Sequence, residues 1–218
     1  MPEKNIDFVM QILEKYYNCR EKTTLNQMKK NNETPFKILI SCLLSLRARD
    51  ENTQKVSKQL FEVADTPEKI LNLPLKKLEK LIFSSGHYKK KSGVLKSVSK
   101  EILERFNGKV PSTKEELMSI KGIGPKTANI VLNFAFGKMV IPVDVHVHVI
   151  ANRLGWVKTK RPEDTEKELE NVLPKKYWRE INGTFVLLGK EICITISPKC
   201  SVCQIKKYCK RINVIRSR

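Results

Sequence analysis

The sequence lacks long apolar segments and is short of acidic residues. No segment approaches the ~18 uninterrupted apolar residues that a membrane-spanning helix needs. The N-terminal residues show no basic region followed by an apolar core, so we expect no secretory signal and an intracellular location, in the cytoplasm or nucleoid. Acidic residues number 23 against 42 lysines and arginines, which gives a formal net charge of +19. This imbalance favours a polyanionic partner, although ribosomal proteins and proteins that bind anionic membranes carry similar charge.

The sequence also contains no internal repeat and no low-complexity tract. Apolar residues instead recur at helical spacing along most of the 218 residues, enough for one large domain or two small lobes. We expect an amphipathic helix over residues 6–17 and a buried, almost wholly apolar helix that starts at Pro35. Residues 20–34 are polar and without periodicity, so we expect a connection there. The expected helix N-caps are Asn5, Thr66 and Ser112, the last in a capping box with Glu115.

One segment disagrees with an all-helical interpretation. Val143, Val145, Val147 and Val149 alternate with polar residues, and this periodicity alone predicts a strand. No other part of the sequence offers a strand that could pair with it. We therefore do not expect a strand at this position.

The clearest functional motif lies in residues 117–146, LMSIKGIGPKTANIVLNFAFGKMVIPVDVH. Gly122 and Gly124 free the backbone for positive φ and close approach, and Pro125 suits the first turn of a second helix. Unpaired N–H groups and the positive end of the helix dipole favour a phosphate at such a turn. This pattern is typical of a helix-hairpin-helix that binds the DNA backbone, although a plain glycine turn between packed helices is the alternative. The expected DNA contacts are Lys121, Gly122, Ile123 and Gly124.

Four of the six cysteines lie close together near the C-terminal end, spaced C-x6-C-x2-C-x5-C: Cys193, Cys200, Cys203 and Cys209. Zinc sites usually have two closely spaced ligand pairs, and only one C-x2-C occurs here. Four thiolates in one compact loop suit a [4Fe–4S] cluster, although ferredoxins use other spacings. Zinc and disulfides remain less favoured alternatives. We expect the interspersed Lys206 and Lys207 to contact DNA rather than only solvent, and Cys42 to be a buried, small apolar group.

The segment KGIGPKTA, the following Val-Asp-Val-His and the cysteine spacing together resemble the endonuclease III family of DNA glycosylases, over nearly the whole chain. The resemblance implies an all-α fold of two helical lobes with a DNA cleft between them. One lobe would be a helical barrel, residues 27–137, ending in the hairpin; the other would combine residues 1–26 and 138–218 and carry the cluster loop. Lys126 and Asp144 would be the catalytic pair at the mouth of the cleft, with Asp144 capping a helix that runs to about Arg153.

The resemblance also implies an activity. A monomeric enzyme would remove oxidised pyrimidines from double-stranded DNA and cleave the abasic site by β-elimination through a Schiff base on Lys126. Arg47 and His87 depart from the family pattern, which commonly has glutamine and an apolar residue there. We expect both to contact DNA beside the flipped nucleotide, unless they are ordinary polar loop residues. The alternatives are a glycosylase for uracil or thymine opposite guanine and an inactive nucleic-acid-binding module, and Lys126 argues against both.

Overall fold

The computed structural model describes residues 3–17, 24–46, 48 and 50–218, and in these ranges the only regular secondary structure is helical. The all-α prediction is confirmed. Arg47 lies outside the described residues. The helices are α1 (Glu3–Tyr17), α2 (Thr24–Lys30), α3 (Pro35–Ser45), α4 (Asp50–Phe61), α5 (Pro67–Asn72), α6 (Leu75–Leu81), α7 (Tyr88–Phe106), α8 (Lys114–Ser119), α9 (Pro125–Phe136), α10 (Val145–Leu154), α11 (Pro162–Val172) and α12 (Ile181–Glu191). Short 3₁₀ turns lie at Phe83–Ser85, Lys175–Tyr177, Cys200–Val202 and Lys206–Tyr208.

The chain divides into two compact units. One contains Met1–Glu21 and Met139–Arg218, and the other contains Lys22–Lys138. We call them the discontinuous unit and the central unit. None of the helices described in either unit has the length and apolar character needed to cross a bilayer.

The central unit is built around α3, which is buried along most of its length. Pro35 occupies its first turn, and the Thr34 hydroxyl accepts a hydrogen bond from the N–H of Lys37 at 3.3 Å. Residues 20–34 were expected to form a connection, yet Thr24–Lys30 is helical. The physical reason is tertiary burial, because α2 contributes to a small apolar cluster shared with α3 and α9: Met28, Ile38, Cys42, Ile130 and Phe134.

Of the three helix N-caps predicted at Asn5, Thr66 and Ser112, one is confirmed and two are wrong. Thr66 caps α5 as expected. The capping box before the hairpin is displaced by one residue: Thr113 accepts from the N–H of Glu116 at 3.3 Å and donates to its carboxylate at 2.6 Å. Ser112 therefore lies outside the box, because an equivalent Thr-x-x-Glu pattern follows it directly. Asn5 is not a cap either, since α1 already begins at Glu3.

The discontinuous unit packs α1 against the helices of the C-terminal third. Buried residues of α1 recur at positions 6, 9, 10 and 13, the spacing of one helix face. They share a core with Val147 and Ile150 of α10 and with Phe185 and Leu188 of α12. Residues 193–218 contain no α-helix and run over this unit as turns and irregular backbone.

Candidate active site and metal centre

The backbone conformation of the turn between α8 and α9 requires glycine at position 122 but not at position 124. Gly122 has φ +102°, and a Cβ placed there would lie 3.1 Å from a methyl group of Val94. Gly124 has φ −93° and ψ 174°, and a Cβ there would meet nothing within 4 Å. The expectation that both glycines supply positive φ is therefore wrong for Gly124, which is ordinary extended backbone. Its missing side chain leaves the N-terminus of α9 open instead.

Of the four turn residues, 121–124, two have main-chain N–H groups bonded within the protein and two have N–H groups open to solvent. Ile123 is buried and its N–H bonds within the turn. The N–H of Lys121 donates to the Glu101 carboxylate at 3.1 Å. Gly122 and Gly124 are exposed, and their N–H groups make no hydrogen bond within the described part of the chain. These two amides, in the turn that leads into α9, are available to an anion.

Lys126 is the second residue of α9 and is partly buried. It lies close enough to Cys42 of α3 that its charge acts on the thiol, while Thr127 forms a hydrogen bond with the sulfur. Burial outweighs both effects and raises the pKa of Cys42 to about 11. Cys42 therefore stays protonated and behaves as the small buried group expected from the sequence.

Asp144 is the N-cap of α10. It is 8% exposed, and one carboxylate oxygen, Oδ1, accepts hydrogen bonds from the N–H groups of His146 and Val147, both at 2.9 Å. The predicted cap is confirmed, and three of the four alternating valines, Val145, Val147 and Val149, belong to a helix that ends at Leu154. At Gly189 of α12 any Cβ would collide with the His146 ring, so α10 and α12 pack closely beside the cap.

His87 precedes α7 in a left-handed conformation, with φ 49° following φ 69° at Gly86. Its side chain is exposed and lines a cavity of about 490 Å³ in the central unit, which also has Gly122 of the hairpin on its wall. The structure thus brings together two of the predicted DNA-binding positions. The same cavity is lined by Lys91, a buried lysine that the sequence did not single out.

The four clustered cysteines line one cavity of the discontinuous unit, as expected for ligands of a common centre. Burial is the main cause that raises the thiol pKa of Cys193, Cys203 and Cys209, for Cys203 to about 11. A metal centre or another source of positive charge would favour their deprotonation. The N–H of Arg211 points to Cys209 Sγ at 3.4 Å, a contact that stabilises thiolate sulfur.

Arg153, at the end of α10, organises the start of the cysteine loop and was not predicted. Only 7% of it is exposed. Nη1 donates to Sγ of Cys193 at 3.2 Å and to the carbonyls of Cys193 and Ile194, and Nη2 donates to that of Thr195 at 2.7 Å. Lys206 and Lys207 are exposed on the 3₁₀ turn that ends at Tyr208, whose ring stacks on Phe8.

Comparison with known proteins gives the family and the fold to which this chain is similar. Residues 40–175 match the family described as HhH-GPD superfamily base excision DNA repair protein. Endonuclease III of Thermotoga maritima is 47% identical over 176 residues, covering 81% of this chain and 83% of the relative. The structure of a non-covalent endonuclease III–DNA complex is similar, with a TM-score of 0.83, 30% identity and coverage of 96% and 95%. A trapped endonuclease III–DNA covalent intermediate, an estranged-adenine complex, gives a TM-score of 0.77, 33% identity and coverage of 86% and 92%. The chain belongs to the HhH-GPD superfamily of base-excision repair proteins and, within it, to the endonuclease III family, which confirms the resemblance.

Proposed function

We propose that the protein is a bifunctional DNA glycosylase that removes oxidised pyrimidines from double-stranded DNA and cleaves the strand at the abasic site. The observation that carries the proposal is the position of the Lys126 amine in the first turn of α9, directly after the glycine turn. The chain that carries this lysine is 47% identical to an endonuclease III. One solved endonuclease III structure is a covalent intermediate with DNA. Such an intermediate requires a nucleophilic side chain, and we assign that role here to Lys126.

The reaction begins when the damaged nucleotide leaves the base stack. The neutral amine of Lys126 attacks C1′ of the sugar, the bond from C1′ to the base breaks, and the base leaves with the bonding electron pair. Loss of an amine proton and opening of the sugar ring give a Schiff base between Nζ and C1′. Removal of a proton from C2′ then expels the 3′ phosphate and cuts the strand.

Asp144 supplies the complementary negative charge. Its carboxylate would stabilise positive charge that develops on the sugar and accept the proton that the amine releases. The two N–H bonds to Oδ1 support this role, because they fix the orientation of the carboxylate. Asp144→Asn keeps a side-chain oxygen for the cap and removes the charge, so we expect base release to fall about 10²-fold or more while stability changes by less than about 1 kcal/mol.

DNA binding would use neutral and charged donors. The N–H groups of Gly122 and Gly124, with the dipole of α9, are suited to one phosphate. Lys121, Lys206 and Lys207 are exposed, which supports contacts to further phosphates. His87 and Arg47 are proposed to fill the space that the flipped nucleotide leaves, and the exposure and left-handed turn at His87 are compatible with this role.

We also infer that Cys193, Cys200, Cys203 and Cys209 hold a [4Fe–4S] cluster. All four line one cavity, yet among the residues that the structure describes no three His, Cys, Asp or Glu side chains are placed to hold a single metal ion. Four thiols around one cavity, with only one closely spaced C-x2-C pair among them, favour a [4Fe–4S] cluster over zinc. When bound, the cluster would supply iron–thiolate bonds from these four cysteines, which would cross-link the loop at both of its ends and in its middle.

The test of the catalytic assignment is borohydride trapping on a duplex with one thymine glycol. The wild-type protein should form a covalent adduct with the DNA. Lys126→Gln should form none and should not cleave the strand, while its DNA binding survives. Lys138→Gln, which removes an exposed lysine just after α9, is the matched control and should trap normally. Strand cleavage by Lys126→Gln would show that another group is the nucleophile.

The mismatch alternative is not favoured, because the relatives at 35–47% identity include several named endonuclease III and Lys126 is present. The same assay separates the two activities. Base release from uracil–guanine or thymine–guanine duplexes, without an adduct on the thymine glycol duplex, would contradict the proposed substrate class.

A further inference from the structure

Lys91, in the first turn of α7, is a buried lysine that the proposed reaction does not use. Only 8% of its surface is exposed, and Nζ donates to the main-chain carbonyls of Leu44 and Ser85 at 2.7 Å each. Burial lowers the pKa of Lys91 to about 8 and so disfavours its charged form. The two carbonyls offset part of this cost, because they replace water as partners of the ammonium group.

The two carbonyls belong to the segments that lead to the proposed DNA-probing residues. Leu44 lies in the last turn of α3, shortly before Arg47 in the sequence. Ser85 ends a 3₁₀ turn, and the next two residues, Gly86 and His87, both have positive φ. One ammonium group therefore joins two segments that are distant in sequence.

Lys91 also forms part of the cavity of about 490 Å³ beside the hairpin. Its other walls include Leu43 and Leu46 at the end of α3, His87 in its turn, and Gly122 of the hairpin. Lys91 therefore bonds to main-chain atoms of the two segments that supply the α3 wall and the His87 wall.

We propose that Lys91 is a positioning residue for recognition of the damaged base. Its ammonium group holds the end of α3 and the His87 turn at the separation at which both enter the duplex. This inference rests on the proposed function, which assigns the two segments to the DNA. An apolar side chain of similar length would leave two buried carbonyls without a donor, and the segments would shift to find other partners. A displacement of about 1 Å in a positioning element is enough to cost about a hundredfold in rate.

The test compares two lysines of α7 that make the same kind of contact. Lys96 also donates to two carbonyls, those of Leu71 and Leu73 at the end of α5, which belong to neither segment. Lys91→Met and Lys96→Met each remove one such ammonium group, and Lys91→Arg keeps the charge and donors. For each full-length protein, the measurements are base release from a thymine glycol duplex, strand cleavage at a preformed abasic site, and the unfolding temperature.

We expect Lys91→Met to lower base release about tenfold or more and abasic-site cleavage by less than about threefold, because an abasic site has no base to displace from the stack. Lys96→Met should lower the unfolding temperature without changing the ratio of the two activities. Lys91→Arg should keep that ratio at the wild-type value. If both methionine variants reduce the two activities by one common factor, Lys91 is only structural and the inference is wrong. A wild-type protein inactive on both duplexes would contradict the proposed function itself, and this assignment with it.

Discussion

The hairpin and the cysteine loop differ in how much regular structure and apolar burial stabilise them. The hairpin, residues 114–136, consists of two α-helices joined by a short turn, and its apolar side chains at 117, 120, 123 and 128 are almost inaccessible. The cysteine loop, residues 193–209, contains only two 3₁₀ turns, and Ile196 and Val202 are 85% and 60% exposed. The Ile205 side chain of the loop is almost inaccessible, and further inward contacts are made by the thiols and by the guanidinium of Arg153.

This difference indicates which of the two regions would depend on the proposed cluster. Apolar burial and a glycine turn are enough to stabilise the hairpin, because its buried side chains all belong to one packed unit. The cysteine loop has little regular structure and brings together four thiols that repel one another when ionised, so the proposed cluster would be the group that makes it rigid. Removal of the cluster should therefore affect the loop strongly and the hairpin little.

Removal of one cluster ligand is the largest expected effect. Cys203→Ala should abolish the visible absorbance of the iron–sulfur centre and destabilise the discontinuous unit by more than about 4 kcal/mol, as losses of structural metal sites do. Cys42→Ala, in the buried helix α3, is the matched control and should keep the iron content. Hydrogen exchange should show faster exchange in the loop and unchanged protection in α9. Equal loss of protection in the cysteine loop and in α9 would contradict the inference that the cluster stabilises the loop and not the hairpin.

Loss of the arginine that holds the loop should be next in size. Arg153→Met removes four hydrogen bonds to the loop and leaves partly buried carbonyls without a donor, so we expect roughly 3 kcal/mol of destabilisation. The measurement is iron retained per protein after exposure to a chelator, together with thermal unfolding. Arg161→Met removes an exposed arginine paired with Asp164 and should change neither. Iron retention by Arg153→Met at the wild-type level would show that the thiols alone organise the loop.

The hairpin can be tested with its own pair of glycines. Gly122→Ala places a side chain at φ +102° and against Val94, so we expect roughly 2 kcal/mol of destabilisation. Gly124→Ala has neither problem and should change stability by less than about 0.5 kcal/mol. The new methyl group would nevertheless stand where a phosphate approaches, and we expect about tenfold weaker binding to a duplex with an abasic analogue. Unchanged binding by Gly124→Ala would show that no phosphate approaches the Gly124 amide.

The same contrast explains what the sequence could predict. The hairpin was predictable because glycine, proline and apolar spacing are local features, and the helix after Asp144 was found only through the family resemblance, against its own periodicity. Lys91 left a detectable signal: it lies four residues before Leu95 on the buried face of α7. Arg153 left none, since its role depends on carbonyls 40 or more residues away. Helix α2 was missed because its burial comes from α3 and α9.

The smallest expected effect on stability concerns the two lysines of the cysteine loop. Lys206→Gln with Lys207→Gln should change the unfolding free energy by less than about 0.5 kcal/mol, because both side chains are exposed. If each contacts a phosphate, the slope of log binding constant against log salt concentration should fall by about 2, and binding should weaken equally for all sequences. Lys76→Gln with Lys77→Gln on α6 is the charge-matched control. Gly124→Ala should weaken binding with no change in this slope, since a neutral amide releases no counterion. A common salt dependence for the two variants would mean that the hairpin and the loop do not bind DNA in the different ways proposed here.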